Sequence, residues 1–315
     1  MSNAMILIPG KKYIVLLFLL PATMLSKAQR AINPEPSARP SRLTFALSSG
    51  YQSEDLRWSI AGNTQGANPN ILSELKWKNL AGPTLEAAVK WNCWKSFELR
   101  STFSRLFITS GSVTDMDYQG DDRTNRSYYG AFDANKGMSF SWRTTLEYPF
   151  HLSRLVTLTP SLGYALHRQS LYLLSSDQTG SAAGLKSTYA TKYEGAVIGV
   201  RGDLHFSAHL SLEAALFYDF VHYRGRANWN LISTFRHPIS FEDQANGYNI
   251  EGNVKLGYSF NSRWMLFLTG DILHSETGTG TDWLYLQTGQ NVPTQFNGAV
   301  RDYFRAAIGV RLSLF

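Results

Sequence analysis

Among its 315 residues the chain has a single cysteine, Cys93, so no intrachain disulfide can staple it. Long apolar runs are equally scarce. One exists, "YIVLLFLLPATML" at residues 13 to 25, and Pro21 interrupts it. Nothing further along approaches the roughly 18 consecutive apolar residues of a membrane helix. Lys11 and Lys12 precede the run, and Ser26-Lys27-Ala28 supplies small residues around a cleavage site, so residues 1–28 read as a signal peptide. That segment carries three Lys and no acid, which takes the net charge from +6 to about +3 in the exported chain. The chain has no Lys/Arg cluster, which argues against a nucleic-acid partner. It also lacks a Gly-rich phosphate loop, Cys/His metal spacing and a His-Glu-x-x-His pattern, so no cofactor and no metal is expected.

After an extended leader at 29–41, with Pro34, Pro36 and Pro40, residues 42–315 show no linker and no composition shift. One domain is expected there. What fills it is alternation. In "YNIEGNVKLGYSF", Tyr248, Ile250, Val254, Leu256, Tyr258 and Phe260 fall on one face, and Asn249, Glu251, Asn253 and Lys255 on the other. A half-buried soluble strand gives this pattern over about 4 to 8 residues; here it runs for 13. "LEAAVKW", "MSFSWRTTLE" and "LSLEAALFYDF" repeat it, with Lys90, Arg143, Glu147, Glu213 and Asp219 in mid-strand. An unpaired charge buried in an apolar core is prohibitive, so these faces meet water or partners. A transmembrane barrel offers both, with lipid against one face and a polar lumen against the other.

Ten strands are expected, near 42–62, 70–93, 96–110, 137–150, 154–174, 188–204, 208–227, 239–261, 263–281 and 300–315. Their connections alternate between long loops (63–69, 111–136, 175–187, 228–238 and 282–299) and tight turns such as "CWKS" and "HLSR". The predicted fold class is therefore all-β, a ten-stranded antiparallel transmembrane β-barrel with long extracellular loops and short periplasmic turns. Several strands run near 20 residues, against the ~9 to 11 that cross lipid, so the barrel should stand well above the membrane. The interior charges Glu74, Lys76, Glu86, Lys90, Glu98, Arg100, Arg143, Glu147, Glu213 and Lys255 are expected to neutralise one another across strands and close the lumen.

Ser73-x-Leu75-x-Trp77, then Lys90-Trp91-Asn92, and Asp115-x-Asp117 just after the third strand resemble the omptins, ten-stranded outer-membrane barrels that cleave peptides at the cell surface. "GDDR" and "FRHPISFED" are similar to Protochlamydia-type outer membrane proteins. The omptin resemblance implies a water held between an Asp pair, at Asp115 and Asp117, and an Asp-His couple near the top of the seventh strand. There the chain reads "VHYRGRANWNLISTF", with Asn228 and Asn230 but no acid and no His at that spacing. Asn can orient a water but cannot take its proton. His222 lies lower on the strand and His237-Pro238 beyond the loop.

Asp115 and Asp117 are the candidate catalytic pair, with three readings open: a solvated acidic loop, a repurposed cleft, or an active pair. Unbroken continuation of the third strand would put these odd-numbered residues on the lipid face of Phe97, Leu99 and Phe103. A bulge at Gly111 is required to turn them inward. Expected partners are outer-membrane lipid, with lipopolysaccharide as the candidate, and an unidentified extracellular ligand. The leading functional reading is a non-proteolytic omptin-like barrel with binding loops. The alternatives are a divergent hydrolase using Asp115, Asp117 and His222 or His237, and a small channel.

Overall fold

The computed structural model describes residues 42–175 and 182–314; the expected signal peptide, the leader and Phe315 lie outside the described residues. The described chain is strand almost throughout: β1 (Leu43–Ile60), β2 (Ser73–Trp94), β3 (Phe97–Ile108), β4 (Ser110–Gly120), β5 (Thr124–Asp133), β6 (Gly137–Glu147), β7 (Phe150–His151), β8 (Val156–Leu174), β9 (Lys186–His205), β10 (Leu210–Asn228), β11 (Phe241–Ser259), β12 (Trp264–Thr277), β13 (Gly280–Tyr285) and β14 (Asn291–Leu314). All pairings are antiparallel, and β1 pairs both β2 and β14, which closes the sheet on itself. Counting β3 with β4, β5 with β6 and β7, and β12 with β13 as single staves gives the ten expected from the alternation. Closure leaves no free edge, and every stave finds two neighbours.

Two segments expected as loops are strands instead. Residues 111–136 carry most of β4 and all of β5, and 282–299 carry most of β13 and the start of β14. The reason is an edge left over. β3 pairs only Thr84 to Trp94 of β2, so the top of β2 would expose its backbone, and β4 fills that place from Ser73 to Ala81. β13 likewise bridges the tops of β11 and β14. With 24 residues in β14, a rise of ~3.3 Å per residue and a usual barrel tilt, the wall is roughly 60 Å tall, more than twice a ~25 Å apolar band.

Outward-facing Leu47, Leu85, Phe103, Leu162, Leu216, Val254, Leu268 and Ile308 are exposed and ring the short-turn half. Inside that half the charges pair as expected: Lys90 with Glu98 (2.9 Å), Arg100 with Glu147 (3.2 Å) and Lys255 with Glu213 (3.0 Å). Arg143 grips Glu251 through two bonds of 2.9 and 2.8 Å, and Arg305 bridges Asp271 and Glu86. Glu74 and Lys76 depart from expectation. They face away from the lumen, where Glu74 holds Lys76 and Arg123 instead of a lumenal partner. An extra residue in β2 beside Asp55 causes the flip: Asn79 takes a φ of 53°, and Asp55 caps the bulge through Asn79 N–H and Lys78 Nζ.

Candidate functional site

The same device turns the acid pair. In β3 the inward residues are even-numbered (Leu106, Ile108), whereas in β4 they are odd (Val113, Asp115). The parity changes at Gly111, whose φ of 147° favours glycine and whose missing Cβ leaves room for Leu80. The bulge required for inward carboxylates is thus present. Asp115 sits opposite Leu75 and Gly130, and Asp117 opposite Ser73. Asp115 is buried and its Oδ1 has no hydrogen-bond partner among the described residues. Burial, followed by the charge of Asp117, pushes its carboxyl up to about 7. Asp117 is raised by burial as well, partly offset by the hydrogen bond from Ser73. Asp121 and Asp122 are spent at the hairpin tip, where both hold Asn70.

Neither carboxyl is shifted by an imidazole. The seven histidines are engaged or placed elsewhere. His222 points outward to Asn246 (3.1 Å), His237 meets Asn228 (2.7 Å), and His274 lies outside against Asp302 (2.6 Å). His151, His205 and His209 mark the short-turn end. His167 sits in mid-barrel, where its Nδ1 shares a 2.8 Å hydrogen bond with Ser141 Oγ and its Nε2 lies 3.3 Å from Asp219 Oδ2. This hydroxyl–imidazole–carboxylate chain was not anticipated from sequence, because its members are spread over three strands. Its carboxylate is already held by Asn249 (3.0 Å), with Arg143 at 3.9 Å, and neither Ser141 nor His167 lines the cavities at the short-turn end.

Level with the carboxylates and beneath them, the lumen is filled with rings: Trp58 is in register with Leu75 and Asp115, and Trp77 with Val113 below. Trp58 stacks on Tyr189 with centroids 5.3 Å apart, Trp77 on Tyr189 at 5.4 Å, and Tyr223 on Phe296 at 5.6 Å. Leu56, Leu75, Leu171, Tyr193 and Phe241 complete this core. A second acid pair lies within it. Asp243 and Asp282 face each other across β11 and β13 and are almost fully buried; Tyr189 donates to Asp243 (2.6 Å) and Thr294 to Asp282 (3.0 Å). Burial and then the neighbouring Asp282 hold Asp243 well above the carboxylate range; burial lifts Asp282 to about 6. Two carboxyls in such surroundings share a proton rather than ionise together. Their inward parity was readable from β11, but nothing in sequence paired Asp282 with Asp243.

The family model described as "Pom: Protochlamydia outer membrane protein" matches residues 46–313, nearly the whole barrel. The chain belongs to the Protochlamydia outer membrane protein family. Among solved structures, this Protochlamydia-family barrel is similar to the outer membrane protease OmpT from Escherichia coli: 13% identity over 89% of this chain and 99% of that one, TM-score 0.67. At that identity the likeness shows the omptin-like fold. The translocator domain of the autotransporter NalP from Neisseria meningitidis matches with 11% identity over 92% of this chain and 94% of that one, at a TM-score of 0.37. No curated protein matches the chain. An outer-membrane β-barrel of omptin-like fold is what the family and the structural match establish.

Proposed function

We propose that the protein is a non-proteolytic, sealed outer-membrane barrel that presents its long strand-built loops for binding at the cell surface. The observation that carries this reading is that no imidazole is directed at Asp115 or Asp117, while the aromatic core from Trp58 to Phe296 packs the lumen level with the pair and beneath it. A general base must lie within hydrogen-bond reach of the water it activates, and neither His222 nor His237 is directed at the pair. Asp115, pushed up to about 7 by burial and then by Asp117, has no imidazole beside it with which to exchange a proton.

The outer wall supports a lipid partner in the same reading. Arg168, Lys192 and Arg224 are direct cross-strand neighbours on β8, β9 and β10, facing outward. They stand just above the apolar ring of Leu162, Tyr164, Ile198 and Phe220. A cationic row at that height suits the phosphate groups of lipopolysaccharide.

The test is incubation of the purified barrel, supplemented with lipopolysaccharide, with a library of basic peptides. The expected result is no cleavage above a heat-denatured control. Cleavage that disappears in Asp115→Asn would overturn the proposal.

A further inference from the structure

The short-turn end of the lumen is unlike the rest: it is open. A basin of about 390 Å³ enters from that side, and a niche of about 70 Å³ adjoins it beneath the β9–β10 turn. Six residues line both spaces: Asp203, His205, Glu213, Lys255, Met265 and Arg311. Most charges around them are satisfied. Lys255 pairs with Glu213 at 3.0 Å, Lys90 with Glu98 at 2.9 Å, and Arg100 and Arg201 share the single carboxylate of Glu147.

Two charges of the shared wall are left over. Arg311 makes no ion pair among the described residues, and its Nε is shielded from solvent without a hydrogen-bond partner. Asp203 also has no ion pair among them, although it lines the same niche. A guanidinium and a carboxylate that face one cavity without meeting each other are both satisfied by one ligand carrying the opposite charges. The sharing of Glu147 by two arginines adds positive field on the basin side, so the anionic end is the stronger determinant.

We propose that the niche is a binding site for a small zwitterion reached from the periplasmic side, its anionic oxygen group held by Arg311 and its ammonium by Asp203. Guanidinium forks suit planar or tetrahedral oxyanions, and a charge-assisted hydrogen bond is roughly twice as strong as a neutral one. Phosphoethanolamine has the required chemistry, whether as a free solute or as a phospholipid headgroup. The site is separate from Asp115, Asp117 and the aromatic core, and it is independent of whether the barrel cleaves peptides.

The full-length barrel in detergent is titrated calorimetrically with O-phosphorylethanolamine, inorganic phosphate and ethanolamine. O-phosphorylethanolamine is expected to bind tighter than either fragment. Arg311→Gln should weaken it roughly tenfold or more, Arg311→Lys less, and Asp203→Asn should abolish its advantage over inorganic phosphate. Unchanged thermal unfolding of the variants confirms that they fold, and if Arg311→Gln does not, Asp203→Asn and Arg311→Lys carry the test. Wild-type affinity in Arg311→Gln, or an advantage retained in Asp203→Asn, contradicts the proposal. So does the lack of saturable binding below about 10 mM. Repeating the titration in nanodiscs of phosphatidylethanolamine or of phosphatidylglycerol separates the sources. Competition confined to phosphatidylethanolamine identifies the headgroup as occupant, and equal affinity in both identifies the free solute.

Discussion

The two halves of this barrel are built with opposite polarity, and single strands carry both designs. In lower β1, Phe45, Leu47 and Tyr51 face out while Thr44, Ser48 and Gln52 face in. A few residues higher, Leu56 and Trp58 face in, with Asp55 and Arg57 on the outside. β10 repeats the change: Leu216 and Phe220 are outside and Asp219 inside, then Tyr223 is inside with Arg224 and Arg226 outside. Strand geometry is the same throughout, so the solvent decides. Against hydrocarbon, apolar atoms gain nothing by turning inward, and charges must be paired in the lumen. Against water, the hydrophobic effect applies in its ordinary direction, and the upper barrel packs like a small soluble domain. In the proposed reading the lumen is sealed twice, by ion pairs below and by rings above.

The contrast breaks most visibly where a ring is removed. Trp77→Ala leaves a hole against Tyr189 and Leu75 and should cost about 3 to 5 kcal/mol. Hydrogen exchange should quicken at residues 56–60 and 73–80, while the lipid-facing strands stay protected. Exchange that quickens equally in both halves would show that they are not independent.

Next in size is a charge placed on the outer wall. Leu268→Lys, in the lipid ring, should destabilise by about 2 to 4 kcal/mol in urea unfolding from vesicles. The same lysine at Thr188, outward on upper β9, should stay within about 0.5 kcal/mol of wild type. Similar losses at both positions would place the membrane boundary higher than the ring of exposed Leu and Ile suggests.

A smaller effect depends on pH and sharpens the same comparison. Asp115, Asp243 and Asp282 are all raised above the ordinary carboxylate range by burial, and all lie in the upper half. A carboxyl with a raised folded pKa favours the fold at low pH. That advantage is complete below the unfolded value near 3.8 and is lost as pH climbs through the folded one. The extracellular half should therefore loosen between about pH 4 and pH 7, by on the order of 1 to 3 kcal/mol, with the lipid-embedded half unaffected. Asp243→Asn should flatten the dependence seen by exchange at residues 241–245.

Alternation made the lower barrel legible, because lipid on one face and paired charges on the other leave a period-two record in "YNIEGNVKLGYSF" and its repeats. The upper barrel was harder. The change of parity in β1 between Tyr51 and Leu56 is present in the sequence, but bulges at Asn79 and Gly111 reverse the pattern in β2 and β4. That is why 111–136 read as a loop, and why Glu74 and Lys76 read as lumenal. Gly111 itself was recognisable as the place where the chain could turn Asp115 inward. Asp282, His167 and Ser141 were invisible as partners, since each meets its neighbour through register set by strands far apart in sequence.

Ion conduction across a planar bilayer tests the double seal most directly. With Arg143, Glu251 and Arg305 packed across the lower lumen and Trp58, Trp77 and Tyr189 above them, the purified barrel should add no steady current over protein-free membranes at either polarity. Stable, ohmic single-channel steps from the wild-type protein would contradict the account and show that water threads the barrel from end to end.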